Sequence, residues 1–199
     1  MVRSNHNINM KHIKSYKLFE SITEGNRIEI DQFLNEIRIP NDKKSQIIEW
    51  WSQNRSRIKI YYFPFSSPQP IAGCFLSEDI IAINSRLPMP PHVKLFIALH
   101  ESRHCDQHSE GIFMDGYYET VVRGDKESFL QSYRELEADA NNFAIDSMYQ
   151  IGFENEMMME SNRLRLNEGA GEMVYRMMTD DIRRFNPTDF IDLLKKQIL

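Results

Sequence analysis

Residues 97 to 104 read Ile-Ala-Leu-His-Glu-Ser-Arg-His, and no other stretch of the chain constrains its fold as strongly. An apolar run passes directly into His100, Glu101 and His104, in the spacing H-E-x-x-H. On an α-helix, positions four apart lie about 40° apart around the axis and about 6 Å along it. The spacing therefore predicts a helix whose two imidazoles converge on one cation. Glu101 then lies beside them, within reach of a water bound to that cation. The tetrahedral preference of Zn²⁺ and its affinity for imidazole make zinc the expected ion. With 6 His and 17 Glu in 199 residues, shuffling would produce such an array only about 0.015 times. A solvated helix face is the bland alternative, so the search turns to a third ligand.

A catalytic zinc takes three protein ligands and leaves one position open. Residues 133 to 144 read Tyr-Arg-Glu-Leu-Glu-Ala-Asp-Ala-Asn-Asn-Phe-Ala. Phe129, Tyr133, Leu136, Phe143 and Met148 recur at helical intervals, which predicts a helix over about Lys126 to Gln150, opening after Gly124-Asp125. Glu135 and Asp139 are four apart and share a face. Glu135 is then a candidate ligand, and Asp139 a candidate to accept a hydrogen bond from a liganding imidazole and so hold its tautomer. Glu137 competes with Glu135 from about 200° around the same helix; the bland reading makes it a solvated acid or a partner for Arg134.

H-E-x-x-H followed by R-E-x-E-A-D-x-N-x-F-A resembles the gluzincin metallopeptidases, whose third ligand is a Glu on a second helix. Within that group the chain is most similar to the ImmA/IrrE-type peptidases. The order Ile81-Ala82-Ile83-Asn84, then HExxH, then Glu135-Leu136-Glu137-Ala138-Asp139 with Phe143-Ala144 carries the likeness, over roughly residues 57 to 150. The resemblance implies His100, His104 and Glu135 as metal ligands, Glu101 as the base and Asp139 as the imidazole's partner. It implies a zinc-dependent metallopeptidase acting on a peptide or protein substrate. It also offers an alternative, a regulatory protein with one dedicated protein partner and little general proteolysis. A non-catalytic fold in which metal merely links two helices is the third reading. Arg103 and Asp106 depart from the family pattern, in which uncharged residues are usual.

Other groups add less. His108 extends the stripe by one more turn, too far to close the same tetrahedron, and is expected at a rim. Glu110 or Glu119 would ligate only if the following loop folds back. Tyr117, Tyr118 and Tyr133 are candidate donors to an oxyanion. Cys105 is expected as a small buried thiol, and with Cys74 its only companion no disulfide framework is indicated.

A net charge of −5 argues against nucleic acid as a partner. No apolar stretch of 18 residues exists, so no membrane span is expected. The first residues lack the apolar segment of a signal peptide. A cytoplasmic protein is the expectation. The fold class expected is α+β, mostly helical and zincin-like, with a small antiparallel sheet and a helical C-terminal extension. Residues 1–150 would form the core, the first dozen or so mobile, and residues 151–199 the extension. Helices are predicted over Ile28 to Ile37 and after Asn41-Asp42, which would cap the second. Strands are predicted over Arg57 to Phe63, Ile71 to Leu76 and Ile80 to Asn84. The last of these, or its neighbour, is expected to present an edge that holds an extended peptide. Methionines 157, 158, 159, 173, 177 and 178 are expected to fill an irregular helical core.

Overall fold

The computed structural model describes residues 24–64, 72–112, 120–121 and 123–156. The expected N-terminal mobility, Tyr117, Tyr118, Glu119 and the methionine-rich helices expected after residue 156 lie outside the described residues. Within them the chain is α+β. In chain order come β1 (Arg27–Ile28), α1 (Ile30–Glu36), α2 (Asn41–Asn54), β2 (Lys59–Phe63), β3 (Gly73–Ser77), β4 (Ile80–Asn84), α3 (Pro91–Ser109) and α4 (Lys126–Gln150).

The four strands form one sheet in the order β1-β2-β4-β3. The sheet is mixed, which corrects the antiparallel expectation: β2 runs parallel to β4, while the β1–β2 and β3–β4 pairs are antiparallel. In this order β4 lies between β2 and β3, so β3 is the outer strand. The tight turn at Glu78-Asp79 then folds β4 back into the gap. β4 suits that central position because Ile80-Ile81-Ala82-Ile83 is apolar on both faces, as strands covered on both sides are. Ile81, Ala82 and Ile83 are fully buried. The edge expected at Ile80 to Asn84 therefore belongs to its neighbour β3.

Helix α3 lies against β3 and β4 on one side and α4 on the other. Pro91 occupies its first turn, where a missing N–H costs nothing. Leu95, Phe96, Ala98 and Leu99 carry its apolar face into a core with Phe33, Leu34, Ile47, Trp51, Ile60, Ile81, Ile83, Met148 and Ile151. Helix α4 opens where the Asp125 carboxylate accepts the Ser128 N–H at 3.1 Å, a side-chain cap for one orphan donor. It closes before Gly152, whose φ of 80° is the left-handed conformation glycine adopts cheaply after a helix. The cap expected of Asn41 is not made: Asn41 is the first helical residue, and Lys44 Nζ bonds its Oδ1 at 2.8 Å.

The adjacent tryptophans divide as alternate helix directions require. Trp51 is buried, whereas Trp50 lies partly out against Phe143, with its Nε1 donating to Gln150 at 2.8 Å. Asp106, polar where the resembled family is apolar, anchors two arginines that follow α2. Arg55 meets it at 3.0 Å and Arg57 at 2.5 Å. Burial lowers the pKa of the Arg55 guanidinium against the pull of Asp106, and the group also lies 4.1 Å over the Phe143 ring.

Gly73 sets how closely β3 approaches α3. A Cβ there would stand 2.6 Å from Ile97 Cγ2 and 3.1 Å from Glu101 Cγ. Neither atom is the free end of a flexible chain, so Gly73→Ala must push β3 away. We expect it to destabilise the protein by about 1–3 kcal/mol, read as a lower denaturant midpoint with an unchanged slope. An unaltered midpoint would mean that the strand is not held against the helix.

Candidate metal centre

His100 and His104 project from successive turns of α3 toward α4, as their spacing requires. Their Nε2 atoms are 3.0 Å apart. Into the same space α4 sends Glu137, with Oε2 at 3.3 Å from His100 Nε2 and Oε1 at 3.6 Å from His104 Nε2. Each of the three offers one ligand atom, and these atoms lie within 4.8 Å of one another, a group able to hold an ion.

Glu135, the expected third ligand, is not brought there. It is exposed, and its carboxylate accepts from Gln131 Nε2 at 2.6 Å one turn back on the same helix. The physical reason is the rotational phase of α4. Leu136, Ala140 and Ala144 are the buried stripe. At 100° per residue, Glu137 lies about 60° from its centre and Glu135 about 140°. Asp139 is displaced from its expected role by the same rotation. Its Oδ2 instead accepts from Arg103 Nε and from Gln107 Nε2, each at 2.7 Å. The outer imidazole nitrogens instead meet amides: His100 Nδ1 lies 3.0 Å from Asn141 Oδ1, and His104 Nδ1 lies 2.7 Å from Gln107 Oε1. Glu137 and Asn141 thus stand four apart, in the relation expected of Glu135 and Asp139. The signal in the sequence was the small-residue stripe at Ala140 and Ala144, which marks the face that meets another helix.

The remaining candidates fall around this group. His108 is half-buried with its ring 6.1 Å from Phe75. Glu110 is exposed and pairs with Arg103 at 3.2 Å. The Tyr133 hydroxyl bonds the Glu137 carboxylate, and burial together with that carboxylate raises its pKa. Cys105 is buried and burial pushes its thiol up to about 12; both cysteines are free.

Electrostatics tie the group together. Burial alone would lower the pKa of His100. The hydrogen bond to Glu137 and the charges of Glu101 and Glu137 outweigh it and hold the imidazole above its ordinary value. Burial alone would raise Glu137, but the same two imidazoles and the Tyr133 hydroxyl bring it below the usual range. Glu101 goes the other way. It is buried against β3, and desolvation raises its pKa despite His100, His104 and the Phe75 N–H. One site therefore holds two carboxylates whose pKa values are pushed in opposite directions.

Comparison with protein-family models, with curated proteins and with solved structures returned no match for this chain. Among the described residues, no helix is long and apolar enough to cross a membrane.

Proposed function

We propose that the chain is a zinc-dependent peptidase of the gluzincin kind, with His100, His104 and Glu137 as the ligands and Glu101 as the base. The observation that carries this reading is the spacing of the donor atoms. Ligand bonds of about 2.0–2.1 Å in a tetrahedron put neighbouring donors about 3.3 Å apart. The two imidazole Nε2 atoms are 3.0 Å apart, and each is met by a different oxygen of the Glu137 carboxylate, at 3.3 and 3.6 Å. Two imidazoles and one carboxylate also match the donor set of catalytic zinc, which keeps a fourth position open.

Zinc held there supplies a water of lowered pKa and polarises a scissile carbonyl. Glu101 accepts the proton from the attacking water and returns it to the departing amine. Its raised pKa brings it nearer the working pH, where such an exchange is most effective. A purely structural site has no use for that second, buried carboxylate. Strand β3 supports the choice of a peptide. Asn84 donates to the Ala72 carbonyl at 2.9 Å, so Ala72 and Cys74 turn their backbone groups toward β4, and Gly73 and Phe75 turn theirs outward. An extended peptide can pair with the outward backbone groups of Gly73 on that edge, beside Glu101, whose carboxylate already accepts the Phe75 N–H.

The zinc-loaded protein is expected to cleave an unstructured protein or a mixed peptide pool. Cleavage should stop on chelation and return with added zinc. Cleavage indifferent to chelator would remove the reading.

The protonation state of the metal-free site yields a pH dependence. His100, with its pKa raised, carries a proton that an ion must displace. Zinc affinity is therefore expected to climb with pH, about tenfold per unit, until His100 is neutral, and then to level. The metal-free protein follows the opposite course. Protonated His100 contributes stability in full below about pH 6.5, the value in the unfolded chain. That contribution is lost as pH rises through the folded value. Titration calorimetry in buffers of different ionisation enthalpy would count the proton released, and a release of none on the acid side would contradict this account.

A further inference from the structure

One turn beyond His104, helix α3 buries Gln107 completely. A buried carboxamide is costly unless its donors and acceptor are satisfied, and this one has a partner for each end. Its Nε2 donates to the Leu136 carbonyl at 3.1 Å and to Asp139 Oδ2 at 2.7 Å. Both partners are pure acceptors, so the amide can be oriented only one way, with the nitrogen toward α4. The oxygen must then face His104 Nδ1, 2.7 Å away. An oxygen acceptor requires a proton on that nitrogen. His104 is thereby held as the Nδ1–H form, with its Nε2 lone pair turned toward His100 and Glu137.

We propose that Gln107 is the positioning residue of this centre, setting the tautomer of His104 through a relay that runs from Asp139 across α4 to α3. The proposal rests on the metal-site reading above for its functional consequence, but the tautomer belongs to the metal-free protein. Arg103 is the outer anchor of the relay. Its Nε holds Asp139 Oδ2 at 2.7 Å and its Nη1 reaches Glu110 at 3.2 Å. The side chain of Asp139 is about half exposed, at 48%, so water can substitute for part of what it does. Gln107, fully buried, has no such substitute. The two residues should therefore differ in weight: the amide sets the tautomer and the carboxylate only steadies the amide.

The experiment measures two quantities on the full-length chain. Nitrogen-15 shifts of the His104 ring in metal-free protein, at a pH where that ring is neutral, report its tautomer; competition with a chromophoric chelator reports zinc affinity. Wild type is expected in the Nδ1–H form. Gln107→Met keeps the volume and removes the amide, and should admit the Nε2–H form and weaken zinc about 10–100-fold. Asp139→Asn should retain the Nδ1–H form with a smaller loss of affinity. A Gln107→Met protein still wholly Nδ1–H, or within twofold of wild type in zinc affinity, overturns the proposal. If Gln107→Met does not fold, the wild-type ring decides, because an amide oxygen facing Nδ1 requires the Nδ1–H form; a wild-type His104 in the Nε2–H form overturns the proposal equally. A wild-type protein that takes no zinc would remove the metal reading, and the ring shifts would still judge the relay.

Discussion

Glu137→Ala is expected to abolish stoichiometric zinc binding, while Glu135→Ala leaves it intact. The two acids are two residues apart, equal in chemistry and on the same helix, so only their direction separates them. Glu137 reaches both imidazoles at 3.3 and 3.6 Å, whereas Glu135 is exposed and bonded to Gln131. Removing Glu137 takes away one of the three proposed ligands and the carboxylate that compensates the His100 charge. The loss should exceed the about 10–100-fold that changes outside the ligand set produce. Removing Glu135 should cost within about 0.5 kcal/mol of stability, as surface substitutions do. Metal analysis after dialysis, with each variant beside wild type, gives the answer directly. Equal zinc in Glu137→Ala and wild type would sink the assignment, and loss confined to Glu135→Ala would return the third ligand to the position first expected.

That contrast marks how far local pattern reaches. The helix over Lys126 to Gln150 was legible from its apolar period, and the helix bearing His100 and His104 from the spacing of its histidines. Relations within one helix follow from 100° per residue. The partner of an imidazole does not, because it depends on how α4 is rotated against α3. Choosing Glu135 for its pairing with Asp139 used a sound rule, that a ligand and its outer partner stand four apart. The rule is satisfied equally by Glu137 and Asn141, since the segment Glu-Leu-Glu-Ala-Asp-Ala-Asn repeats polar groups at steps of two. Weighing the Leu136, Ala140, Ala144 stripe would have broken the tie, for small residues at steps of four let two helices approach closely.

The sheet repeats the lesson with strands. β2, β3 and β4 were visible as short β-rich runs between turn residues, but the order in which they pair was not. A hairpin between neighbours in sequence was the natural expectation, and β3–β4 is one. The parallel β2–β4 pair joins two strands that β3 separates in sequence, which no period records. One clue lay in β4, whose unbroken apolar run fits a strand enclosed on both faces better than an edge. Gln107 was passed over for a related reason. A glutamine on a helix reads as solvated until a second helix covers it, and then its buried amide becomes the link between the two.

The largest expected effect on activity belongs to Glu101→Gln. The substitution keeps the shape of the side chain beside Gly73 and keeps an oxygen to accept the Phe75 N–H that Glu101 now meets. It removes only the ability to take a proton. Zinc content should stay near that of wild type, because the three proposed ligands are untouched. Turnover should fall about 10²–10⁴-fold, the contribution of a positioned proton acceptor, with KM little changed, since an interaction made only in the transition state is lost. Stability supplies an independent check with a definite sign. Desolvation raises the folded pKa of Glu101 above its unfolded value, so stability falls as pH rises from the unfolded value to the folded one and stays reduced above it. The neutral amide escapes this penalty, and metal-free Glu101→Gln should melt no lower than wild type at neutral pH. A variant that holds zinc, melts as expected and still cleaves at the wild-type rate would show that the proton goes elsewhere, and the base would have to be sought among other groups at the site.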